Sequence, residues 1–186
     1  MPPERLEQTT DTLSPDDLAR ACADAMWKDD DASRGLGMEI LDIRPGRATL
    51  GMTVKSNMVN GQGIAHGGFI FTLADSAFAF ACNSYNERVV AAQGNITFIR
   101  PGKTGDRLIA TAREISRSGR SGIYDVRVTV DDIVIAEFRG HSRTVAGKWL
   151  PVARQDTQAG IDAGQTRTSV KQRRSVAGRC RAGVAR

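Results

Sequence analysis

The sequence predicts an α+β domain in which an antiparallel sheet wraps around one long central helix. Three observations point to it. First, Phe69 to Cys82 is almost wholly apolar and carries a single carboxylate, Asp75; a helix that is apolar all round belongs inside a protein. Second, the flanking segments alternate apolar and polar residues with period two, the mark of half-buried strands. Third, 186 residues at 40% hydrophobic content make one ordinary core and are too few for two. A long apolar helix is buried on every side only if a curved sheet surrounds it and something covers the remaining face. In a chain this small the simplest cover is a second copy.

The elements follow in order. Ser14-Pro15-Asp16-Asp17 opens a helix, with a hydroxyl cap, proline in the first turn and acids at the positive end of the dipole. Leu18, Ala21, Cys22, Ala25 and Met26 recur at helical spacing, and Lys28-Asp29-Asp30-Asp31 ends this peripheral element. From Leu36 to Val54 the period changes to two, broken at Pro45-Gly46, which reads as a hairpin. A polar loop from Ser56 to Ala65 leads into the central helix, Gly67 to Asn83. Strands are predicted over Val89–Ile99, Arg107–Ser116, Ile123–Val130 and Ile133–Thr144, with breaks at Pro101-Gly102, at Ser118 to Gly122 and at Asp131-Asp132. Residues 1–34 are thus a helical extension, 35–148 the main domain and 149–186 a basic disordered tail.

The net charge of +5 is a property of that tail: residues 151–186 carry eight basic side chains against two acidic ones, leaving the rest of the chain at about −1. Cys22, Cys82 and Cys180 stand far apart without a CxxC pair, so neither a disulfide framework nor a zinc site is expected. The N-terminus is polar and acidic, and no apolar stretch approaches the roughly 20 residues of a membrane span. The expectation is a soluble protein of a reducing cytoplasm, with no metal.

Chemistry concentrates at the central helix. The first N–H groups of a helix have no internal partner, and glycines there let a ligand approach without meeting a Cβ. Gly67-Gly68 therefore offers bare donors to a carbonyl oxygen, a ready oxyanion hole. Asp75 lies eight residues further on, about 12 Å along the axis, too far for one reacting carbonyl to touch both. Two such helices lying antiparallel across a dimer interface would bring the N-terminus of one beside Asp75 of the other. A plain structural reading of Asp75, a carboxylate bonded to a neighbouring group, stays open on the residues alone.

From about Gly37 to Gly147 the chain resembles the PaaI-type acyl-CoA thioesterases of the hotdog fold. The resemblance rests on Met58-Val59-Asn60-Gly61, His66-Gly67-Gly68, Leu73-Ala74-Asp75-Ser76-Ala77-Phe78-Ala79, Ala81-Cys82-Asn83-Ser84, Phe98-Ile99-Arg100-Pro101-Gly102, Gly122-Ile123-Tyr124-Asp125-Val126 and Phe138-Arg139-Gly140. It implies a sheet wrapped round the helix, homodimers paired into tetramers, and hydrolysis of phenylacetyl-CoA or its ring-hydroxylated relatives. It further implies Asp75 as the catalytic carboxylate and the Gly67 amide as the donor to the thioester carbonyl. No cofactor is expected, since coenzyme A belongs to the substrate. The basic tail departs from the family pattern.

A thioester carbonyl is electrophilic and its thiolate leaves readily, so a positioned carboxylate and an oxyanion donor suffice. Asp75 is read as base or nucleophile. His66 and Asn60 complete the candidate catalytic set: His66 as a direct participant, as the residue that holds the glycine turn and borders the substrate, or as a plain helix-capping or loop histidine, and Asn60 as orienting water or the acyl group, or as the left-handed residue of an Asn60-Gly61 turn. Gly68, Arg100, Pro101, Arg117, Arg120, Ser121 and Gly122 are candidate contacts to substrate and coenzyme A phosphates, against the plain reading of solvated arginines. Two rival functions share the fold: an acyl-CoA hydratase or dehydratase, which would need a histidine poised with a carboxylate, and a non-enzymatic acyl-CoA sensor that touches DNA through the tail. The only central histidine directly precedes the glycines, and the tail lacks interleaved aromatics, so neither rival nor a nucleic-acid partner is favoured.

Overall fold

The structure is a computed structural model that describes residues 12–151; from residue 152 onward the predicted disorder of the tail lies outside the described residues. Helix α1 (Pro15–Lys28) starts as expected: Ser14 Oγ accepts the Asp17 N–H at 3.1 Å and proline occupies the first turn. It turns Ala19, Cys22 and Ala23 inward and packs on the first strand. The acidic run after it does more than stop a helix. Asp30 caps a second one, α2 (Asp31–Leu36), by accepting the Ser33 N–H at 2.9 Å, and Gly37 closes it at φ 75°. The predicted boundary at residue 34 therefore falls inside a helix, because an acid that is poor at a helix C-terminus is good at the next N-cap.

Strands β1 (Glu39–Arg44), β2 (Arg47–Thr53), β3 (Val89–Phe98), β4 (Arg107–Ser118), β5 (Ser121–Val130) and β6 (Ile133–Thr144) form one antiparallel sheet in the order β1-β2-β4-β5-β6-β3. The hairpin at Pro45-Gly46 is present. The break predicted over Ser118 to Gly122 shrinks to a tight turn at Gly119-Arg120, while Asp131 and Asp132 both take left-handed φ, 47° and 64°, as a two-residue hairpin turn needs.

Helix α3 (Gly67–Cys82) lies across this sheet, packed mainly on β2, β4 and β5. One face of the sheet supplies Leu50, Met52, Leu108, Ala110, Tyr124, Val126, Val128 and Phe138, all buried. Phe78 sits between Tyr124 and Phe138, at 5.5 and 5.9 Å between ring centroids, and Phe71 meets Phe138 edge-on at 5.3 Å. Gly94 and Gly140 make room for these rings: a Cβ at either would come within 2.9 Å of an aromatic carbon. Two surfaces stay open. Among the described residues strand β3 pairs only with β6, and it is exposed along most of its length, both faces included. On α3, past its first turn, the residues that are not buried are Phe71, which turns to Phe138, and Thr72, Asp75, Ser76 and Ala79, which fall with Gly68 on one stripe, the side turned from the sheet.

The folded body extends past the predicted boundary at 148. Trp149 Nε1 donates to Asn83 Oδ1 at 2.7 Å, and the Trp149 and Leu150 amides donate to Asn86 Oδ1 at 3.1 and 2.9 Å. These residues strap the end of α3.

Candidate active site

The loop before α3 is built by side-chain capping. Asn60 Oδ1 accepts the Gln62 N–H at 2.9 Å and lies 3.4 Å from the Ile64 N–H, while its own N–H donates to the Ile64 carbonyl at 2.9 Å. Asn60 is not left-handed; Gly63, at φ 73°, takes that role. The Asn60-Gly61 turn read from sequence is thus an Asx-type turn that reverses three residues later, because the asparagine oxygen does the bonding. The loop is tied down at its far end by His66 N–H donating to Met58 O at 2.9 Å.

His66 is the N-cap of α3, and its Nδ1 accepts the Gly68 N–H at 2.9 Å. That places the ring proton on Nε2. The histidine consumes one of the two glycine donors and leaves the other: among the described residues nothing accepts the Gly67 N–H. The ring of Phe98 packs against Gly67 so closely that a Cβ there would sit 2.8 Å from its Cζ. Glycine is needed at 67 for this contact, and the amide then faces a cleft of about 470 Å³ lined by Asn60, Ile64, Ala65, Gly67, Ile70, Phe98, Ile99, Arg100 and Pro101. Four of the residues singled out from sequence, Asn60, Gly67, Arg100 and Pro101, meet there. Arg100 donates to the Val134 carbonyl at 2.9 Å, which fixes its side chain along the cleft.

Asp75 stands two turns further along α3, half-buried, and no described residue donates to its carboxylate. Desolvation alone pushes its pKa above the ordinary carboxylate value. Its neighbour Ser76 shares a 3.0 Å hydrogen bond with Ser33 of α2, so the short helix missed in the sequence steadies the turn that carries the acid. Gly67 and Asp75 lie on one continuous helix, about 12 Å apart along it. Within one protomer they do not form a common site.

The remaining sequence candidates lie elsewhere. Ser121 and Gly122 line a groove of about 360 Å³ with Gln93, Ser116, Ser118, His141, Ser142 and Arg143, at the opposite end of β6 from Arg100 and roughly 20 Å away. Arg120 donates twice to the Thr144 carbonyl, at 2.9 and 3.1 Å. Arg117 lies over the Tyr85 ring at 3.8 Å and within 3.8 Å of Glu87 and Glu114. Both guanidiniums are engaged inside the protomer. Glu114 also accepts the buried Tyr124 hydroxyl at 2.9 Å; burial first, and this bond to a carboxylate second, hold that phenol well above its usual pKa. Cys82 is buried and pushed up to about 12, so it is inert as a nucleophile. Among the described residues no His/Cys/Asp/Glu cluster could hold a metal ion, and no helix is long and apolar enough to cross a membrane.

An antiparallel sheet clasping one apolar helix, with an open amide at the helix start and a desolvated acid midway, defines a hotdog-fold thioester hydrolase, and the family model described as Thioesterase superfamily matches residues 62–137. The acyl-coenzyme A thioesterase PaaI of Escherichia coli (strain K12) is 41% identical over 126 residues, 67% of this chain and 90% of that protein. The chain belongs to the PaaI-type acyl-CoA thioesterases. The solved structure of the E. coli PaaI protein from the phenylacetic acid degradation operon superposes with a TM-score of 0.72 at 39% identity, covering 73% of this chain and 99% of that one. A variant of the phenylacetic acid degradation protein PaaI from Thermus thermophilus gives 0.59 at 34% identity, over 61% of this chain and 97% of that one. A Streptococcus mutans protein bound to acetyl CoA gives 0.57 at 27% identity, over 60% and 90%.

Proposed function

We propose that the protein hydrolyses acyl-CoA thioesters to free acid and coenzyme A, with phenylacetyl-CoA or a ring-hydroxylated relative as substrate, in an active site shared by two protomers. The observation that carries this is the division of labour along α3: a donor without an acceptor at Gly67, an acid without a donor at Asp75, and a helix between them that keeps them apart in one chain. A symmetric dimer resolves it. Pairing the open edge of β3 with that of a second copy, antiparallel over the whole strand, sets Phe98 of one protomer opposite Val89 of the other. Since Phe98 packs on Gly67, the open amide then approaches the uncovered stripe of the second α3, where Asp75 stands.

The chemistry follows from those two groups. The Gly67 N–H undergoes no bond change itself; it stabilises the negative charge that develops on the thioester oxygen, worth roughly 3 kcal/mol of barrier. Asp75, as a poorly solvated carboxylate, takes a proton from the attacking water, or attacks the carbonyl carbon directly to form a mixed anhydride that water then cleaves to the free acid. The thiolate of coenzyme A leaves. His66 holds the glycine turn so that Gly67 stays aimed into the cleft, and Asn60 shapes the loop beside it. Arg100 offers positive charge at the cleft for the coenzyme A phosphates, and two such dimers pair into a tetramer.

The test is a panel of acyl-CoA substrates assayed by thiol release for wild type and Asp75→Asn, with the assembly state measured for both. The variant is expected to fold and assemble like wild type and to lose about 10²- to 10⁴-fold in kcat. Retention of most of the activity overturns the reading.

A further inference from the structure

Beyond Asp75 the uncovered stripe of α3 continues to Ala79, one turn and about 6 Å further toward the helix C-terminus. Ala79 is half-buried there. It forms part of the wall of a cavity of about 540 Å³ whose apolar lining is Met26 from α1, Val89 and Val90 from the start of β3, and Val145 and Trp149 from the strap after β6. Asp29, Asp30, Asn83 and Arg88 supply its polar lining.

The wall is rigid where it needs to be. The Trp149 indole is pinned by its 2.7 Å bond to Asn83 Oδ1, and the Arg88 guanidinium lies over its ring at 4.6 Å. Asn83 is itself fixed: its Nδ2 donates to the Ala79 and Val89 carbonyls at 2.9 and 3.0 Å, and its Oδ1 accepts the Val89 N–H at 2.9 Å. Helix end, strand start and strap are thereby knotted around one buried amide. Opposite Trp149, Met26 presents an unbranched thioether that adapts to what it meets. At position 79 only a methyl group intrudes.

We propose that this cavity receives the acyl end of the thioester substrate, and that Ala79, Met26 and Trp149 set which acyl groups are accepted. The inference rests on the shared-site reading above, in which the reacting carbonyl lies at Asp75. From there the acyl group points either along the stripe toward Ala79 or back into the cleft at Gly67. The cleft carries the cation Arg100, suited to the charged coenzyme, whereas the Ala79 cavity sets two acids, Asp29 and Asp30, against the one cation Arg88, a balance that repels phosphates, and offers its apolar wall at about the distance that one methylene and a phenyl ring span. An arylacetyl group fits this space, and its length is limited by Trp149.

The experiment compares kcat/KM for phenylacetyl-CoA and acetyl-CoA in wild type, Ala79→Phe and Met26→Trp. Filling the cavity from either side should lower the phenylacetyl-to-acetyl ratio at least tenfold, through KM more than kcat. A ratio unchanged in both variants, or an equal loss on both substrates, overturns the proposal. Because a bulky residue at 79 could disturb folding, a second measurement leaves the cavity intact: in Asp75→Asn with Trp27→Phe, Trp149 is the only tryptophan of the chain. Phenylacetyl-CoA should change its fluorescence saturably, and coenzyme A alone should not; no change with phenylacetyl-CoA, or the same change with both, also overturns the proposal. If wild type cleaves no acyl-CoA while that fluorescence response is present, the thioesterase reading fails and the pocket stands.

Discussion

At the scale of single residues, the chain places an uncompensated acid where a structural protein would not. Asp75 is half-buried with no donor, and its pKa is raised by desolvation. A carboxyl whose folded pKa is raised holds its proton more tightly folded than unfolded, so its contribution favours the folded state at low pH. That contribution is lost as pH climbs from the ordinary carboxylate value, near 4, through the raised one. At neutral pH the ionised Asp75 therefore costs stability. Thermal melts should show Asp75→Asn melting above wild type at pH 7, with the gap closing as pH falls below about 4. The same shift should move the acidic limb of the kcat/KM profile above the range of a free aspartate. A variant that melts lower at pH 7 would mean that Asp75 has a stabilising partner. The acid and the glycine pair were legible in the sequence because their chemistry is local, an odd charge in an apolar run and a bare helix start. The roles of Asn60, Arg117 and Arg120 were not, because a side chain's partner depends on what the fold brings beside it: a loop amide, the Tyr85 ring and the Thr144 carbonyl.

Among elements, the helices differ in what holds their ends. The α1 cap is exposed and local, so Ser14→Ala should cost about 1 kcal/mol in urea unfolding and leave activity alone. The end of α3 is closed by Asn83, buried and bonded to α3, β3 and Trp149. Asn83→Ala leaves several buried groups without partners and should cost about 3 kcal/mol, measured the same way. Helix α3 and the hairpins could be read from periodicity and turn residues, since both signals lie within a few residues. Helix α2 is too short for periodicity to reveal, and its caps, Asp30 and Gly37, look in sequence like the end of α1. Trp149 lay beyond the last periodic strand, and contacts to residues far earlier in the chain, Asn83, Asn86 and Arg88, draw it into the fold.

For the whole molecule, the proposed sharing of the site between two protomers makes a prediction that no single-chain site makes. Gly67→Val brings side-chain atoms into the Phe98 ring and should be nearly inactive, as should Asp75→Asn. Mixed after unfolding and refolded together, the two should regain activity. Half of the dimers formed would be hybrids, each with one intact pair of Gly67 and Asp75, so about 25% of wild-type activity should return. No recovery would mean that donor and acid act within one chain. That the sheet wraps the helix could be deduced from composition and length, but the order of its strands could not. Alternation marks a strand without saying which neighbour it joins.

That order also bears on how the chain assembles itself on the ribosome. β3 emerges before β4, β5 and β6, yet among the described residues it pairs with β6 alone, the last of these strands to appear. Until β6 is complete, β3 has no mate and the aromatic flank of α3, with Phe71 and Phe78, lacks Phe138. Closure therefore waits on contacts distant in sequence, which are slow to form. A nascent polypeptide of this design spends its longest vulnerable interval with its greasiest segment already made, and it is then that a holding chaperone has most to grip.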